Sequence, residues 1–230
     1  MHQARLVGLE QASPSVRLFR IRCDVDSFYR RAGQWINLAR ELDGTLHTAS
    51  FSVASSPTDA GTIELAIKHS TRHPLTRWLH EQAQPGDSVL ISDGQGDFIW
   101  EASQPQRVVL IGAGTGVVPL MSIFRAIAEA ATVQATLLYS ISSPEEYLFR
   151  DEIVRLSSRP GLRHIVTLSQ PNPGWQGETG RIGEYLLRRA GLDQQTLYYL
   201  CGPQAMVDGT SDLLATLGVP TGHVIYEKWW

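Results

Sequence analysis

Over residues 4–100 the chain alternates short apolar runs with turn residues. Residues 4–9, 16–23, 35–39, 50–54, 62–67 and 88–92 read as strands. Ala32-Gly33, Asp43-Gly44, Ser56-Pro57 with Asp59-Ala60-Gly61, Pro85-Gly86-Asp87 and Asp93-Gly94 separate them. Short strands at this even spacing predict an antiparallel barrel or sandwich. One helix interrupts the series over residues 75–82, with Leu75, Trp78 and Leu79 at i, i+3 and i+4.

After the polar stretch Glu101-Ala102-Ser103-Gln104-Pro105-Gln106 the pattern changes. Residues 108–111 form an unbroken apolar run, then a glycine-rich turn, then a helix from about 119 to 131. Strands at 136–140, 163–168, 197–201 and 224–227 alternate with helices near 145–156, 182–190 and 205–217. Such alternation, with apolar strands throughout, predicts a parallel sheet with helices on both faces. The expectation is a two-domain protein: an N-terminal antiparallel β-barrel over 1–103 and a C-terminal α/β parallel-sheet domain over 104–230.

Composition narrows the function. The 230 residues, 43% hydrophobic and 19% charged, describe a globular chain rather than a disordered one. A net charge of −3 gives no electrostatic case for a nucleic-acid partner. Two cysteines, Cys23 and Cys201, are too few for a thiolate zinc site or an iron–sulfur cluster. Reduced thiols are a simpler reading than a Cys23–Cys201 bridge. No apolar stretch reaches 18 residues, so no membrane span is read. No signal peptide is read at the start. The expectation is a cytoplasmic monomer without a metal site. A Ser-His-Asp hydrolase lacks its G-x-S-x-G elbow.

Five segments carry candidate chemistry. Gly112-Ala113-Gly114-Thr115-Gly116 follows a strand and opens a helix. Glycines admit close approach of a ligand, and helix amides favour phosphate oxygens. In Cys201-Gly202-Pro203 a cysteine ends an apolar strand and Gly-Pro breaks into a helix. That places Cys201 at the same sheet edge as the glycine turn. Phe51-Ser52 lies on a barrel strand. Lys68-His69-Ser70-Thr71-Arg72-His73-Pro74-Leu75-Thr76-Arg77 is a basic loop at a helix start, suited to a phosphate or simply solvated, with Thr76 as a cap. The chain ends Glu227-Lys228-Trp229-Trp230, and terminal tryptophans suggest a flat partner to cover.

The order and spacing of these segments, with Gly94, Gly96, Phe98, Pro119 and Met206, resemble the ferredoxin–NADP(H) reductase family of flavoenzymes over nearly the whole chain. The resemblance implies an FAD-binding barrel followed by an NAD(P)-binding domain. Phe51 would lie beside the isoalloxazine and Ser52 near its N5. Lys68, Arg72 and Thr76 would hold the flavin phosphates at the helix start. Gly112, Gly114, Thr115 and Gly116 would receive the pyrophosphate of NADH or NADPH. Cys201 and Gly202 would border the nicotinamide, with Glu227 beside Ser52 and Cys201. Trp229 or Trp230 would stack on the flavin and yield to the nicotinamide. Ser52, Cys201 and Glu227 are thus the implied catalytic set.

The chain departs from the family at Ala49, where an arginine usually meets the flavin pyrophosphate, and at His73, where a glycine is usual. Lys68, Arg72 or Arg77 would supply the missing charge. Ser169-Gln170 lacks one of the two arginines common in NADPH users, while Arg181 matches the other, so the reading leans towards NADH. The implied activity passes a hydride from NAD(P)H to FAD and electrons to a separate small redox protein such as a ferredoxin or flavodoxin. The alternatives are an NAD(P)H:flavin reductase with exchangeable flavin, and a non-redox nucleotide- or partner-binding module.

Overall fold

The computed structural model describes the chain apart from residues 26, 27, 30, 60, 104–106, 132, 171, 229 and 230. The first half holds six antiparallel strands: β1 (His2–Gln11), β2 (Val16–Cys23), β3 (Trp35–Leu42), β4 (Thr45–Ser52), β5 (Thr62–Lys68) and β6 (Ser88–Ile91). Their spatial order is β4-β3-β6-β1-β2-β5. A bridge from Val53 to Leu65, and the Ala54 N–H on the Glu64 carbonyl at 2.8 Å, draw the outer strands together into a barrel. Leu6, Phe19, Ile21, Ile36, Leu38 and Leu65 fill it. Helix α1 (Pro74–Glu81) closes one side with Leu75, Trp78 and Leu79.

The strand expected at 50–54 is the second arm of a hairpin that begins at Thr45. Its register with β3 runs from Leu42↔Thr45 to Trp35↔Ser52. Thr45, Leu46 and Thr48 on this arm are exposed, so it lacks the alternating apolar face that reveals a strand in sequence.

The second half is a parallel sheet of β7 (Arg107–Ala113), β8 (Gln134–Ile141), β9 (Leu162–Leu168), β10 (Glu178–Thr179), β11 (Leu197–Gly202) and β12 (Val224–Lys228). The order is β10-β9-β8-β7-β11-β12. Helices α2 (Val117–Ala130), α3 (Arg150–Ser157), α4 (Glu184–Ala190) and α5 (Gln204–Thr216) cover it. Side chains alternate across the strands. Tyr198 and Leu200 pack with α4 and α5, while Tyr199 and Cys201 pack with α2 and α3. Helix α3 starts at Arg150, not near 145, because a single 3-10 turn at Pro144–Glu146 and a left-handed Phe149 (φ 56°) interrupt the helical path. The two-residue β10 was too short to show as a pattern.

The two halves share one apolar cluster, in which Ala54, Phe98 and Trp100 meet the α2 and β11 side chains. Phe98 meets Tyr199 edge-on at 5.3 Å, and the Tyr199 hydroxyl donates to the Ile99 carbonyl at 2.8 Å. Ser13 and Ser15 donate to Glu146 at 2.6 and 2.9 Å. Ser56 and Thr58 donate to Glu129 at 2.7 and 2.8 Å. No described helix is long and apolar enough to cross a membrane.

Candidate active site

Strands β8 and β9 lie on one side of β7, and β11 and β12 on the other. The chain therefore turns away in opposite directions between β7 and β11, where open parallel sheets hold ligands beyond their carboxyl ends. The register aligns Gly112 with Cys201 and Cys201 with Glu227. The barrel adds the last member: Ser52 Oγ donates to Glu227 Oε2 at 3.4 Å. Residues from β4, β11 and β12 thus meet at one corner between the halves.

Cys201 is fully buried. Burial first, and the neighbouring Glu227 carboxylate second, push its thiol far up from the ordinary range. It stays a neutral thiol, so it offers shape and a weak donor rather than a nucleophile. Cys23 is also buried, and neither cysteine is bridged.

The glycines of the turn do different jobs. Gly114 is exposed, with φ +54° and open space where a Cβ would point. A Cβ on Gly116 would instead run into the Cys201 carbonyl, so that glycine lets α2 sit directly on β11. Gly112 is buried on β7, and Thr115 is half-buried between the other two. The Tyr139 hydroxyl donates to the Gly114 carbonyl at 3.1 Å and fixes the turn. The first turn of α2 carries no acid, so its amide end is uncompensated. Gly202 ends β11. Ser169 spends its hydroxyl on the Ile141 carbonyl at 3.0 Å. Arg181 is exposed, with no ion pair among the described residues.

On the barrel side, alternation separates Phe51 from Ser52. Phe51 and Ala49 pack against the barrel core, while Ser52 reaches Glu227. Lys68 at the end of β5, Arg72 just before α1 and Arg77 within it are exposed and form no ion pair among the described residues. Pro74 opens that helix, whose first turn holds no acid. Thr76 donates its hydroxyl to the His73 carbonyl at 3.0 Å, which closes the turn. His73 Nδ1 is shut from solvent without a partner. His69 and His73 have the i, i+4 spacing of zinc-binding pairs, but His69 faces His80 and Glu81 while His73 faces His47. No cluster of three metal-ligating side chains occurs among the described residues.

The expected aromatic end, Trp229 and Trp230, lies outside the described residues, as does the Gln104–Gln106 joint. Sequence reading passed over Trp35, which pairs with Ser52 and whose indole fills the space beside Gly96. Its only signal was its place at the start of the strand after the Ala32-Gly33 turn.

Residues 3–100 match the model of the oxidoreductase FAD-binding domain, and residues 110–212 match that of the oxidoreductase NAD-binding domain. The chain is 32% identical over 251 residues to oxidoreductase NAD-binding domain-containing protein 1 of Pongo abelii, covering 99% of this chain and 79% of that one. It is 30% identical over 237 residues to ferredoxin–NADP reductase B of Sorangium cellulosum, covering 99% and 97%. Its fold matches the FAD/NAD-binding domain of a nitric oxide dioxygenase from Vibrio cholerae with a TM-score of 0.89, at 22% identity, over 99% and 98%. With an FAD-binding barrel followed by an NAD-binding α/β domain, the chain belongs to the ferredoxin–NADP(H) reductase-like family of flavoprotein oxidoreductases.

Proposed function

We propose that this protein is a flavin-dependent NAD(P)H reductase serving a separate electron acceptor, a small redox protein of the ferredoxin or flavodoxin kind. The supporting observation is the meeting of Ser52, Cys201 and Glu227 between an FAD-binding and an NAD-binding half. FAD supplies a ring that takes a hydride and releases electrons singly or as a pair.

The residues present suit that cofactor. Three unpaired cations, acid-free first turns on α1 and α2, and the unpartnered His73 Nδ1 are features an anionic dinucleotide would satisfy. Lys68, Arg72 and the α1 amides would hold the flavin phosphates, where Ala49 offers no charge. Gly114, Thr115 and the α2 amides would hold the pyrophosphate of NAD(P)H. Ser52 donates its O–H to Glu227, which would leave its oxygen lone pairs available as acceptors towards the flavin ring. Neutral Cys201, with Gly202, sets how closely a nicotinamide can lie, and its burial keeps water out. Trp229 and Trp230 are assigned to cover the flavin. We place the division between the halves after Ser103.

Two cysteines leave no thiolate set for an iron–sulfur cluster within these 230 residues, which fits electron transfer to a separate partner. The relative from Sorangium cellulosum, named a ferredoxin–NADP reductase, supports this assignment. Gln170 beside Ser169 favours NADH, with Arg181 the residue available to a 2′-phosphate. Ala49 also supports a second reading, a flavin reductase that exchanges its flavin. Reoxidation kinetics decide between them. Fast electron transfer to ferredoxin or flavodoxin from protein that keeps its flavin through gel filtration is expected. Loss of flavin on the column with turnover of free flavin would support the second reading.

A further inference from the structure

Helix α2 is mostly apolar and carries one cation, Arg125. Its guanidinium reaches three other segments. Nη1 donates to the Ala54 carbonyl at 2.8 Å. Nη2 donates to Glu64 on β5 at 3.0 Å and to Glu152 on α3 at 2.5 Å, and Nε donates to Glu152 at 2.9 Å. Ala54 lies two residues beyond Ser52. Nine residues before Arg125, Gly116 rests against the Cys201 backbone with no room for a side chain. Arg125 is therefore a tie between the strand end that carries Ser52 and the helix seated on Cys201, alongside the Ser56 and Thr58 bonds to Glu129 and the Tyr29 and Gly33 bonds to Ser122 on the same helix. The Ala54 N–H on the Glu64 carbonyl and the Glu64 N–H on Ser55 Oγ brace the barrel side of that tie.

We propose that Arg125 is a positioning residue: its grip on Ala54, Glu64 and Glu152 sets the distance between Ser52 on the barrel and Cys201 on the α/β half. The 3.4 Å contact from Ser52 to Glu227 is already long, so a small slip between the halves removes it. A rigid four-bond fork suits this role, and a lysine cannot reproduce it. Burial opposes the charge of Arg125, but the Glu152 and Glu64 carboxylates outweigh it, so the tie stays charged throughout the working pH range.

The inference rests on the reductase reading, and its test separates the two. Wild type and R125K, each loaded with FAD, are compared by anaerobic stopped-flow with NADH and NADPH. A wild type that leaves the flavin oxidised overturns the reductase reading. With an active wild type, R125K is expected to slow flavin reduction about tenfold or more, at unchanged flavin content and with Kd for the nicotinamide within about twofold. E152Q, which keeps both barrel contacts, is expected to show a smaller loss of the same kind and covers the case of R125K failing to fold. Spin labels on Val7→Cys and Tyr185→Cys, both exposed, give a readout independent of activity. Their distance distribution is expected to shift or broaden in R125K or E152Q. Wild-type rates, or an unchanged distribution, in the folded variants overturn the proposal.

Discussion

On the proposed reading, the two halves would receive a dinucleotide in opposite ways. The α/β half uses backbone: an open, left-handed Gly114, a Gly116 pressed on the Cys201 carbonyl, and the amide end of α2. The barrel half would use side chains: Lys68 at the end of β5, and Arg72 and Arg77 before and within a short helix that begins with Pro74, a residue with no N–H to give, all stand in solvent. A backbone cradle tolerates salt and fails by steric change. A ring of exposed cations is screened by salt and fails by charge removal. On that reading, one chain would hold a rigid site and an electrostatic one, and the two should break under different treatments.

The largest effect is expected at Gly116. A side chain there meets backbone, which cannot step aside, so Gly116→Val should cost about 3 kcal/mol or more. That is a fall in melting temperature of roughly 10 °C by calorimetry. A variant that melts like wild type would show that α2 does not depend on close seating over β11. Next comes the barrel hydroxyl. Ser52→Ala is expected to retain FAD but slow its reduction by about tenfold, the scale of one lost charge-assisted hydrogen bond. Stopped-flow absorbance checks it, and a rate equal to wild type would remove Ser52 from the chemistry.

The charge contrast comes third. Arg72→Ala should weaken FAD binding by about tenfold, and raising salt from 0.05 to 0.5 M (values on the order used for screening tests) should weaken wild-type FAD binding more than NAD(P)H binding. Equal salt sensitivity at the two sites, measured by fluorescence titration, would abolish the distinction. Gly114→Ala should be milder than Gly116→Val, because space is open and only the left-handed backbone is strained, at about 1 kcal/mol.

The smallest effects concern pH. His80 and His164 are held below their ordinary range by burial, so the fold keeps them neutral where the unfolded chain would charge them. Their contribution is present above about pH 6.5 and is lost as pH falls below it. Cys201, buried beside Glu227, and Tyr147, pushed up to about 12 by burial, hold protons that the unfolded chain releases. Stability should therefore also fall as pH rises past about 8.5, first through the thiol and then through the phenol. Melting temperature against pH should show both shoulders, and Cys201→Ala should reduce the earlier part of the alkaline one.

Much of this organisation was legible in the chain. The β7 run Val108–Ile111, the glycine turn and the Cys201-Gly202-Pro203 break are dense local signals, and the structure lines Gly112 up with Cys201 across one register step. The arm from Thr45 was not legible, because its outward residues are polar and Leu46 is exposed. The start of α3 was misread because a left-handed Phe149 leaves no mark in a hydrophobic pattern. The partnership of Ser52 with Glu227 came only through family resemblance, since no local rule links residues 175 positions apart. Arg125 escaped for the same reason: its partners Ala54, Glu64 and Glu152 come from three distant segments. A single arginine on a mostly apolar helix was the one available clue.

The most direct test of the central claim is the visible absorption spectrum of the purified protein with FAD, before and after anaerobic NADH or NADPH. A flavin-type spectrum that bleaches on addition of nicotinamide, faster with NADH, is the predicted result. A protein that stays colourless after FAD is added, or a bound flavin that neither donor bleaches, would contradict it and leave a nucleotide-binding module without redox work.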